Sequence, residues 1–472
     1  MADLYCYFFE RGLRLLKRGG RLGYISSSTF FKTSSGAALR GYLKKEAALD
    51  SVTDFGDLQI FEGVTTYPAI LTMRKALADA AHTFKFWKVK TIPEGNFARA
   101  FVNAAQAYPQ DKLGAGSWEL ESDGLRNLRN KIVGGKKTLK EVYGSPLYGI
   151  KTGLNEAFVI DRKTRDRLIA EDPKSEELLK PWLEGKDLKR WRAEGRDLFL
   201  ILMPKGWTKS QINTNDEVPA WNWLLENQPA IARQLAPFTE RGRKRTDQGD
   251  FWWELRACDY YGEFEKPKIF YNDIMQSPSF LLDKENHFAA NTAYFVQGDE
   301  GLLSYLNSNV FWFYFTAMSP AIRGGFSRLF TQYVNQMPIP NELDESMAIK
   351  AKALSLISSV ETRQTLEDNF TRRIPDLCPP EREAKLSTKL QDWWKLADFA
   401  AFRAEVKKCF KAEIPLKERS DWEDLFSSGK TQIEKLSAEI KRNEDDINAI
   451  VYKLFDLTPE EIELLETSIA TR

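Results

Sequence analysis

The sequence predicts a mixed α/β fold of three units: an α/β unit, a unit that mixes α and β elements, and a helical C-terminal unit. Two patterns indicate this organisation. A helix–strand–helix pattern followed by three more strand candidates occupies residues 1–90, and helical periodicity dominates residues 341–472. The length of 472 residues, of which 43% are hydrophobic, gives room for about three domains with sizeable cores.

The first unit begins with an amphipathic helix over residues 3–17, which Asp3 is expected to cap and Gly19-Gly20 to end. A strand, RLGYISSS, and a polar helix over about 34–47 come next, followed by the strand candidates SVTDFG, YPAILTMRK and TFKFWKVK. Residues 91–144 are punctuated by Gly and Pro and contain one helix near 123–133. We predict that they form a connector.

The second unit is predicted over residues 145–340. It contains a charged helical stretch at 162–190, the strand DLFLILM, a Trp-rich helix at 218–235 and short strands between 267 and 296. The C-terminal unit is predicted to consist of helices over 344–363, 385–411 and 428–455 and a terminal helix that opens at Thr458-Pro459-Glu460-Glu461.

Composition excludes several classes of protein. No apolar run approaches the roughly 18 residues of a membrane span, and no signal-peptide pattern is present. The four cysteines lie far apart, which is typical of the reducing cytoplasm, where we expect this protein. Because His82 and His287 are the only histidines, a zinc site or a Ser-His-Asp triad is nearly excluded. We find no GxGxxG, GxxxxGK[ST], HExxH or GxSxG motif, and we predict no metal and no catalytic residue.

Charge is distributed unevenly along the chain. The net charge is +1, but residues 341–472 carry −6 and residues 1–340 carry +7. Proteins that bind nucleic acid concentrate positive charge in one part of the chain, although an excess of this size also fits an ordinary solvated surface.

The first unit resembles a known family. The segments that carry the resemblance are ADLYCYFFERGLRLLKRGGRLGYISSSTFFKTSSGAALRGYL and DFGDLQIFEGVTTYPAILTMRK. They are similar to the second half of the catalytic domain of N6-adenine DNA methyltransferases, more narrowly those of the type IIG and TaqI-like restriction-modification group. The resemblance implies an incomplete, Rossmann-like methyltransferase sheet over residues 1–90.

The family's cofactor loop and its Asn/Asp-Pro-Pro-Tyr tetrapeptide precede this region, and nothing in the sequence matches either. Adenine N6 chemistry needs hydrogen-bond acceptors on the amino group. We therefore expect the chain alone to bind no S-adenosylmethionine and to methylate no DNA, and we expect methyl transfer only when a missing N-terminal half completes the enzyme. The chain would then be a piece of a split or truncated gene.

An incomplete sheet would leave apolar surface uncovered. We expect Phe8, Leu15, Ile25 and Leu71 to be exposed, or covered by an N-terminal methyltransferase or nuclease fragment or by another copy of the chain. Residues 1–90 are therefore predicted to self-associate or to be poorly soluble.

Phe61 is the one base-pocket residue that the resemblance carries over. In the family, an aromatic residue at this position of the "F.G..T" unit packs against the flipped adenine. The alternative is that Phe61 is an ordinary core residue at the end of a strand.

The second unit resembles a TaqI-type target recognition domain. The segments that carry this resemblance are YGIKTGLNEAFVIDRKTRDRLIAEDPKSEELLKPWLEGKDLKRW, KPKIFYNDI and LLSYLNSNVFWFYFTAMSPAIRGGFSRLFTQYVNQMPIP. In that family the domain closes over double-stranded DNA and reads base edges from loops. The resemblance implies DNA contacts by residues around two glycine turns: Lys151, Thr152 and Asn155 at one turn, and Arg323, Arg328 and Gln332 beside Gly324-Gly325.

Arg241, Arg243, Lys244 and Arg245 form the densest basic run, and Trp252 and Trp253 follow it closely. Basic residues interleaved with aromatic residues suit contact with the DNA backbone and wedge-like stacking. The alternative is a solvated loop, because acidic residues flank the run. We expect replacement of all four basic residues by Ala to weaken DNA binding.

The C-terminal segment TQIEKLSAEIKRNEDDINAIVYKLFDLTPEEIELLE is similar to the tail of the same family. Its apolar stripe is expected to pack on the recognition domain or on a partner. As a whole, the sequence predicts the DNA-recognition portion of an adenine-N6 methyltransferase or restriction-modification enzyme. The alternative is a non-catalytic specificity subunit of a restriction-modification or BREX-like phage-defence complex.

Overall fold

The computed structural model describes residues 3–64, 66–118, 120–319, 321–322 and 325–470. Helices and open sheets alternate along it, which confirms the predicted mixed α/β class. None of the helices in these ranges is both long enough and apolar enough to cross a membrane.

The first unit is built on a five-stranded sheet. Its strands have the order β1-β3-β2-β4-β5, in which all neighbours are antiparallel except β2 and β4. Its elements are α1 (Leu4–Leu15), β1 (Arg21–Ser27), α2 (Ala37–Glu46), β2 (Ala48–Asp54), β3 (Pro68–Arg74), β4 (Thr83–Lys88), α3 (Phe97–Ala104) and β5 (Gln106–Pro109).

Strand β1 lies at one edge of this sheet. It pairs with β3, and no strand in the described residues pairs with its other side. Helix α1 buries Phe9 and Leu13 beside it but leaves Leu4, Phe8 and Leu15 largely exposed. An unpaired edge next to exposed apolar side chains is a surface that proteins usually cover.

The prediction that Leu71 is exposed is wrong. Leu71 lies in β3, between β1 and β2, and its side chain is fully buried in the core of this unit. Phe8, Leu15 and Ile25, which the same prediction named, are exposed.

The segment predicted as a connector packs on both of its neighbours. The buried Arg40 side chain donates to the carbonyls of Ala115 and Gly116, and Trp118 is buried against Phe30 and Phe31. Beyond Trp118 lie α4 (Asp123–Val133), β6 (Lys137–Thr138) and α5 (Leu139–Tyr143). Leu128 and Ile132 of α4 belong to a core shared with later parts of the chain.

The second unit contains several small sheets. Two of them have four strands, in the orders β16-β9-β12-β8 and β15-β13-β17-β7, and a three-stranded sheet has the order β14-β19-β18. The elements up to the basic run are β7 (Leu147–Tyr148), α6 (Asn155–Phe158), β8 (Val159–Asp161), α7 (Arg162–Glu171), β9 (Leu179–Leu183), β10 (Leu188–Lys189), β11 (Arg192–Ala193), β12 (Leu198–Ile201), α8 (Trp207–Gln211), α9 (Glu217–Asn227), α10 (Pro229–Leu235) and α11 (Thr239–Arg243).

The later elements of this unit complete the sheets and supply two helices to the shared core. They are β13 (Lys268–Asn272), β14 (Ile274–Met275), β15 (Phe280–Asp283), β16 (Phe288–Ala289), β17 (Ala293–Gln297), α12 (Glu300–Leu306), α13 (Asn309–Met318), β18 (Ala321–Ile322), β19 (Phe326–Arg328), α14 (Thr331–Val334) and β20 (Pro338–Ile339).

The C-terminal helices form two packed groups. They are α15 (Met347–Thr371), α16 (Thr388–Gln391), α17 (Phe399–Phe410), α18 (Arg419–Leu454) and α19 (Pro459–Ala470). One group surrounds the stacked rings of Phe370 and Trp393. The other joins the predicted apolar stripe of α18, including Ile447 and Val451, to Phe311 of the second unit in one core.

Proline marks two places where the predicted helices differ from the structure. The charged stretch at 162–190 is helical only to Glu171, because Asp172 precedes Pro173 and the residue before a proline disfavours the α conformation. The Trp-rich helix breaks at Gln228, before Pro229, into α9 and α10.

Candidate nucleic-acid interface

Phe61 lies in the loop of residues 55–67, which connects β2 to β3. Its side chain is 43% exposed, so it is not a core residue. Phe55, at the start of the loop, stacks on Phe97 of α3, and the side-chain amide of Gln59 donates to the carbonyl of Phe61. The loop therefore holds an aromatic ring at the surface, as a residue that stacks on a base requires.

We predict that Phe61→Ala changes the free energy of unfolding by no more than about 0.5 kcal/mol, because an exposed ring leaves no cavity when it is removed. Phe30→Ala is the matched control, because Phe30 is fully buried in the core of the same unit. Its loss should cost about 3–5 kcal/mol. Denaturant unfolding measures both changes, and similar losses for the two variants would mean that Phe61 is a core residue.

The first predicted glycine turn lies after β7. Gly149 allows the chain to pass directly against the carbonyl of Ala290, where a Cβ atom would collide with backbone. Asn155 is exposed at the start of α6, and its side-chain oxygen accepts a hydrogen bond from the Thr152 hydroxyl. Thr152 is buried, so the expectation that it contacts DNA is wrong. Its hydroxyl and its carbonyl bond within the protein instead.

Lys151 is exposed beside this turn, but it is paired with a carboxylate. Its Nζ atom lies 2.9 Å from Asp247 Oδ2, and Arg256 lies 3.3 Å from the other oxygen of the same carboxylate. These bonds, the one from Lys151 foremost, lower the pKa of Asp247. The pairing joins the glycine turn to the segment that follows the basic run.

The basic run presents three exposed cations on and just after α11. Arg241 bonds to Glu156 of α6 at 2.5 Å, and Arg243 bonds to Glu217 at 2.6 Å. Lys244 has no ion-pair or hydrogen-bond partner for its ammonium group within the described ranges. Exposed pairs of this kind contribute little, so the two arginines can exchange their carboxylates for phosphates.

Arg245 is only 7% exposed and does not belong to this surface. Its guanidinium donates to the carbonyls of Thr152, Trp252 and Glu254 and lies 4.4 Å from the ring centre of Phe158. Burial lowers its pKa to about 10, which still leaves it charged at neutral pH. The expectation that Arg245 contacts DNA is therefore wrong.

The two tryptophans after the run are not stacking wedges either. Trp252 and Trp253 are buried, and both rings lie 5.1 Å from the ring of Trp221. Trp252 packs beneath α11, where Gly242 leaves space for its ring.

The second predicted glycine turn belongs to the three-stranded sheet. Arg323 and Gly324 lie outside the described residues. Arg328 ends β19 with its side chain exposed, and Gln332 is exposed on α14. Phe330, which the sequence interpretation did not single out, is an exposed aromatic residue between them.

Two tyrosines connect the two turns. Tyr148 of β7 pairs with Tyr294 of β17, and their rings lie 4.8 Å apart. Burial raises the pKa of Tyr294. Asp273 follows β13, whose last residue, Asn272, pairs with Ala293 next to Tyr294, and its carboxylate lies 3.9 Å from the Arg328 guanidinium. We call the exposed side chains around the two turns, together with the half-buried Asp273, the recognition surface: Tyr148, Lys151, Asn155, Arg241, Arg243, Lys244, Asp273, Arg328, Phe330 and Gln332.

The first sheet touches the second unit near this surface. Ser27 is paired with Pro68, so the Phe61 loop and the segment after β1 lie at the same end of the sheet. Lys32 of that segment donates to the carbonyl of Ala317 at 2.9 Å, and Ser319 donates to the carbonyl of Arg328. The Phe61 loop and the hairpin of β18 and β19 therefore belong to adjoining parts of the molecule.

The turn after β1 does not have the form of a turn that binds S-adenosylmethionine. Such sites use a glycine-rich turn between a strand and a helix. Here the turn after β1 is Ser27-Ser28, which leads into a short 3-10 turn. The buried Ser26 hydroxyl has no hydrogen-bond partner within the described ranges, but one hydroxyl cannot hold a nucleoside cofactor.

Three family profiles match the chain. Residues 1–61 match the Eco57I restriction-modification methylase, residues 180–339 match the TaqI-like C-terminal specificity domain, and residues 342–451 match a domain of unknown function. The chain is thus related to the type IIG restriction-modification methyltransferases, and the resemblance noted in the sequence is confirmed.

Curated relatives agree with this assignment. The chain is 25% identical over 362 residues to the type II methyltransferase M.PaeR7I of Pseudomonas aeruginosa, covering 73% of this chain and 59% of the relative. It is also 25% identical over 361 residues to the type II methyltransferase M.XhoI of Xanthomonas vasicola, covering 72% of this chain and 62% of the relative. The chain therefore spans about three fifths of the length of these relatives.

Among solved structures, the type IIL restriction-modification enzyme MmeI in complex with DNA is similar to this chain, and the alignment covers 92% of this chain and 52% of the MmeI chain. The TM-score is 0.43 and the sequence identity is 10%.

Proposed function

We propose that this chain is the sequence-specific DNA-recognition portion of an adenine-N6 methyltransferase of the restriction-modification type. The assignment of residues 1–90 to the methyltransferase part, 145–340 to target recognition and 341–472 to a helical domain is part of the proposal, with 91–144 as a connector that adds β5 to the sheet of the first unit. The relationship to restriction-modification methyltransferases supports it.

The recognition surface is the observation that carries this proposal. It combines exposed cations for phosphates, amides for base edges and exposed aromatic rings on one unit. Phe61 belongs to the adjoining unit, which touches the second unit through Lys32. Duplex DNA held against the recognition surface would place a flipped adenine toward the Phe61 loop.

Methyl transfer would require a second part that supplies the cofactor loop and the catalytic tetrapeptide, because nothing in this sequence matches either. The complete enzyme would take the methyl group from S-adenosylmethionine, as the relationship to methyltransferases implies. We predict that the purified chain alone shows no saturable heat of binding with S-adenosylmethionine and transfers no labelled methyl group to duplex DNA. Stoichiometric cofactor binding in the calorimeter would contradict this part of the proposal while leaving DNA recognition intact.

We propose that a partner polypeptide docks on the edge of β1 and the exposed face of α1. An N-terminal methyltransferase polypeptide, or another copy of the chain, would pair with the free edge of β1 and cover Leu4, Phe8 and Leu15.

We predict that the chain alone self-associates through this face. Replacement of Leu4, Phe8 and Leu15 by Ser should shift its sedimentation coefficient toward that of a 54.3 kDa monomer, because the apolar contact is lost. Leu354→Ser with Leu416→Ser is the control, because both residues are exposed on the C-terminal helical unit. A wild-type chain that is monomeric at every concentration would contradict the prediction.

A further inference from the structure

The backbone at Arg328 is held firmly on the recognition surface. Leu329 is buried in the shared core, and its amide donates to the carbonyl of Asp273 at 2.7 Å. The Ser319 hydroxyl donates to the Arg328 carbonyl at 3.0 Å, and β19 pairs with a strand on each side. Arg328 and Phe330, on either side of the buried Leu329, are both exposed.

The Arg328 guanidinium is stacked on a ring and makes no hydrogen bond to the part of the chain that the structure describes. Its central carbon lies 5.0 Å from the ring centre of Phe330. Its nearest carboxylate oxygen, Asp273 Oδ2, is 3.9 Å away, which is beyond hydrogen-bond distance. Within the described ranges its N–H groups have no acceptor, whereas Arg241 and Arg243 bond to carboxylates at 2.5 and 2.6 Å.

The neighbouring carboxylate decides what this arginine can bind. The Asp273 side chain is half-buried and its backbone is tied to Leu329, so it cannot swing away as the exposed Glu156 side chain beside Arg241 can. A phosphate next to Arg328 would therefore also lie next to Asp273, and the two negative charges would repel each other. A base edge has no such conflict. In the major groove guanine presents two acceptors, O6 and N7, which suit an arginine, and its partner cytosine presents an amino group, which suits a carboxylate.

We propose that Arg328, stacked on Phe330, reads the guanine of one G·C pair in the recognised duplex and that Asp273 accepts from the cytosine amino group of the same pair. This assignment rests on the proposed DNA-recognition function. Stacking fixes the guanidinium in one orientation before binding, so little side-chain freedom is lost when it meets the base.

Selection from a duplex pool with a randomised central segment tests the proposal. The wild-type chain and the variants Arg328→Lys and Asp273→Asn are each incubated with the pool, and the bound DNA is sequenced. Lys keeps the charge but loses the bidentate fork and most of the stacking. We expect Arg328→Lys to relax the preference at a single G·C position by about 5- to 150-fold and to leave the other positions unchanged.

Asp273→Asn should relax the preference at the same position and raise the affinity for unrelated duplexes, because a negative charge is removed from the surface. Arg167→Lys is the matched control. Arg167 is an exposed arginine of α7 that bonds to Glu171, outside the recognition surface, and its replacement should change no position.

The outcomes separate this inference from the proposed function. If the wild-type chain enriches a sequence and Arg328→Lys enriches it equally strongly, Arg328 reads no base and the inference is overturned. Uniform weakening across all sequences would assign Arg328 to a phosphate and would also overturn it. A wild-type chain that binds no duplex, or enriches none, would overturn the proposed function and this inference together.

Discussion

Arg245→Ala should lower the free energy of unfolding by about 3–5 kcal/mol, an unusually large effect for a residue inside a surface basic run. Three carbonyl oxygens, of Thr152, Trp252 and Glu254, would lose their shared donor in a buried environment. The ring of Phe158 would lose the cation stacked over it. Denaturant unfolding of the purified chain measures the change.

The matched control is Arg243→Ala, two residues earlier in the chain. Arg243 is exposed and bonds to Glu217 at the surface, so its removal should leave the unfolding midpoint nearly unchanged. Equal midpoints for the two variants would mean that Arg245 is not the buried anchor described above. The anchor also ties the basic run to the glycine turn, so Arg245→Ala should weaken DNA binding indirectly.

Much of the first unit could be predicted from the sequence. Alternating apolar residues in runs such as YPAILTMRK specify strands, and the glycine pair after α1 marks the end of that helix. The order of these elements carried the family resemblance. The exposure of Phe61 could not be derived in this way, because a phenylalanine after a strand can turn into the core or outward.

The basic run shows where sequence reasoning fails. Arg241, Arg243 and Arg245 are chemically identical and equally spaced, yet the third is buried and the first two are exposed. Arg245 is buried because its guanidinium bonds to the backbone carbonyls of Thr152, Trp252 and Glu254. These residues are distant in sequence or lie beyond the next loop. Likewise, only the pairing of β14 with β19 brings Asp273 close to Arg328.

Binding of the chain to duplex DNA should weaken steeply as salt rises. Each lysine or arginine that neutralises a phosphate releases counterions, and the logarithm of the affinity falls with the logarithm of the salt concentration by roughly 0.9 per phosphate contacted. Arg241, Arg243 and Lys244 are the exposed members of the basic run. Their joint replacement by Ala should flatten the slope by roughly 0.9 for each side chain that contacts a phosphate.

Arg245 stays unchanged in this triple variant, so any loss of binding reports on exposed charge and not on unfolding. Replacement of Arg403, Lys407 and Lys408 on α17 is the matched control, because it removes the same charge from the acidic C-terminal unit. Unfolding curves of both variants check that the fold is retained.

The most direct test of DNA recognition by this chain is a salt series of binding isotherms on random-sequence duplex DNA for the wild type and these two triple variants. We predict a steep linear slope for the wild type, the same slope for the α17 variant and a flatter slope with weaker binding for the Arg241, Arg243 and Lys244 variant. Absence of binding by the wild type, or identical slopes for all three proteins, would contradict the assignment of DNA binding to the recognition surface.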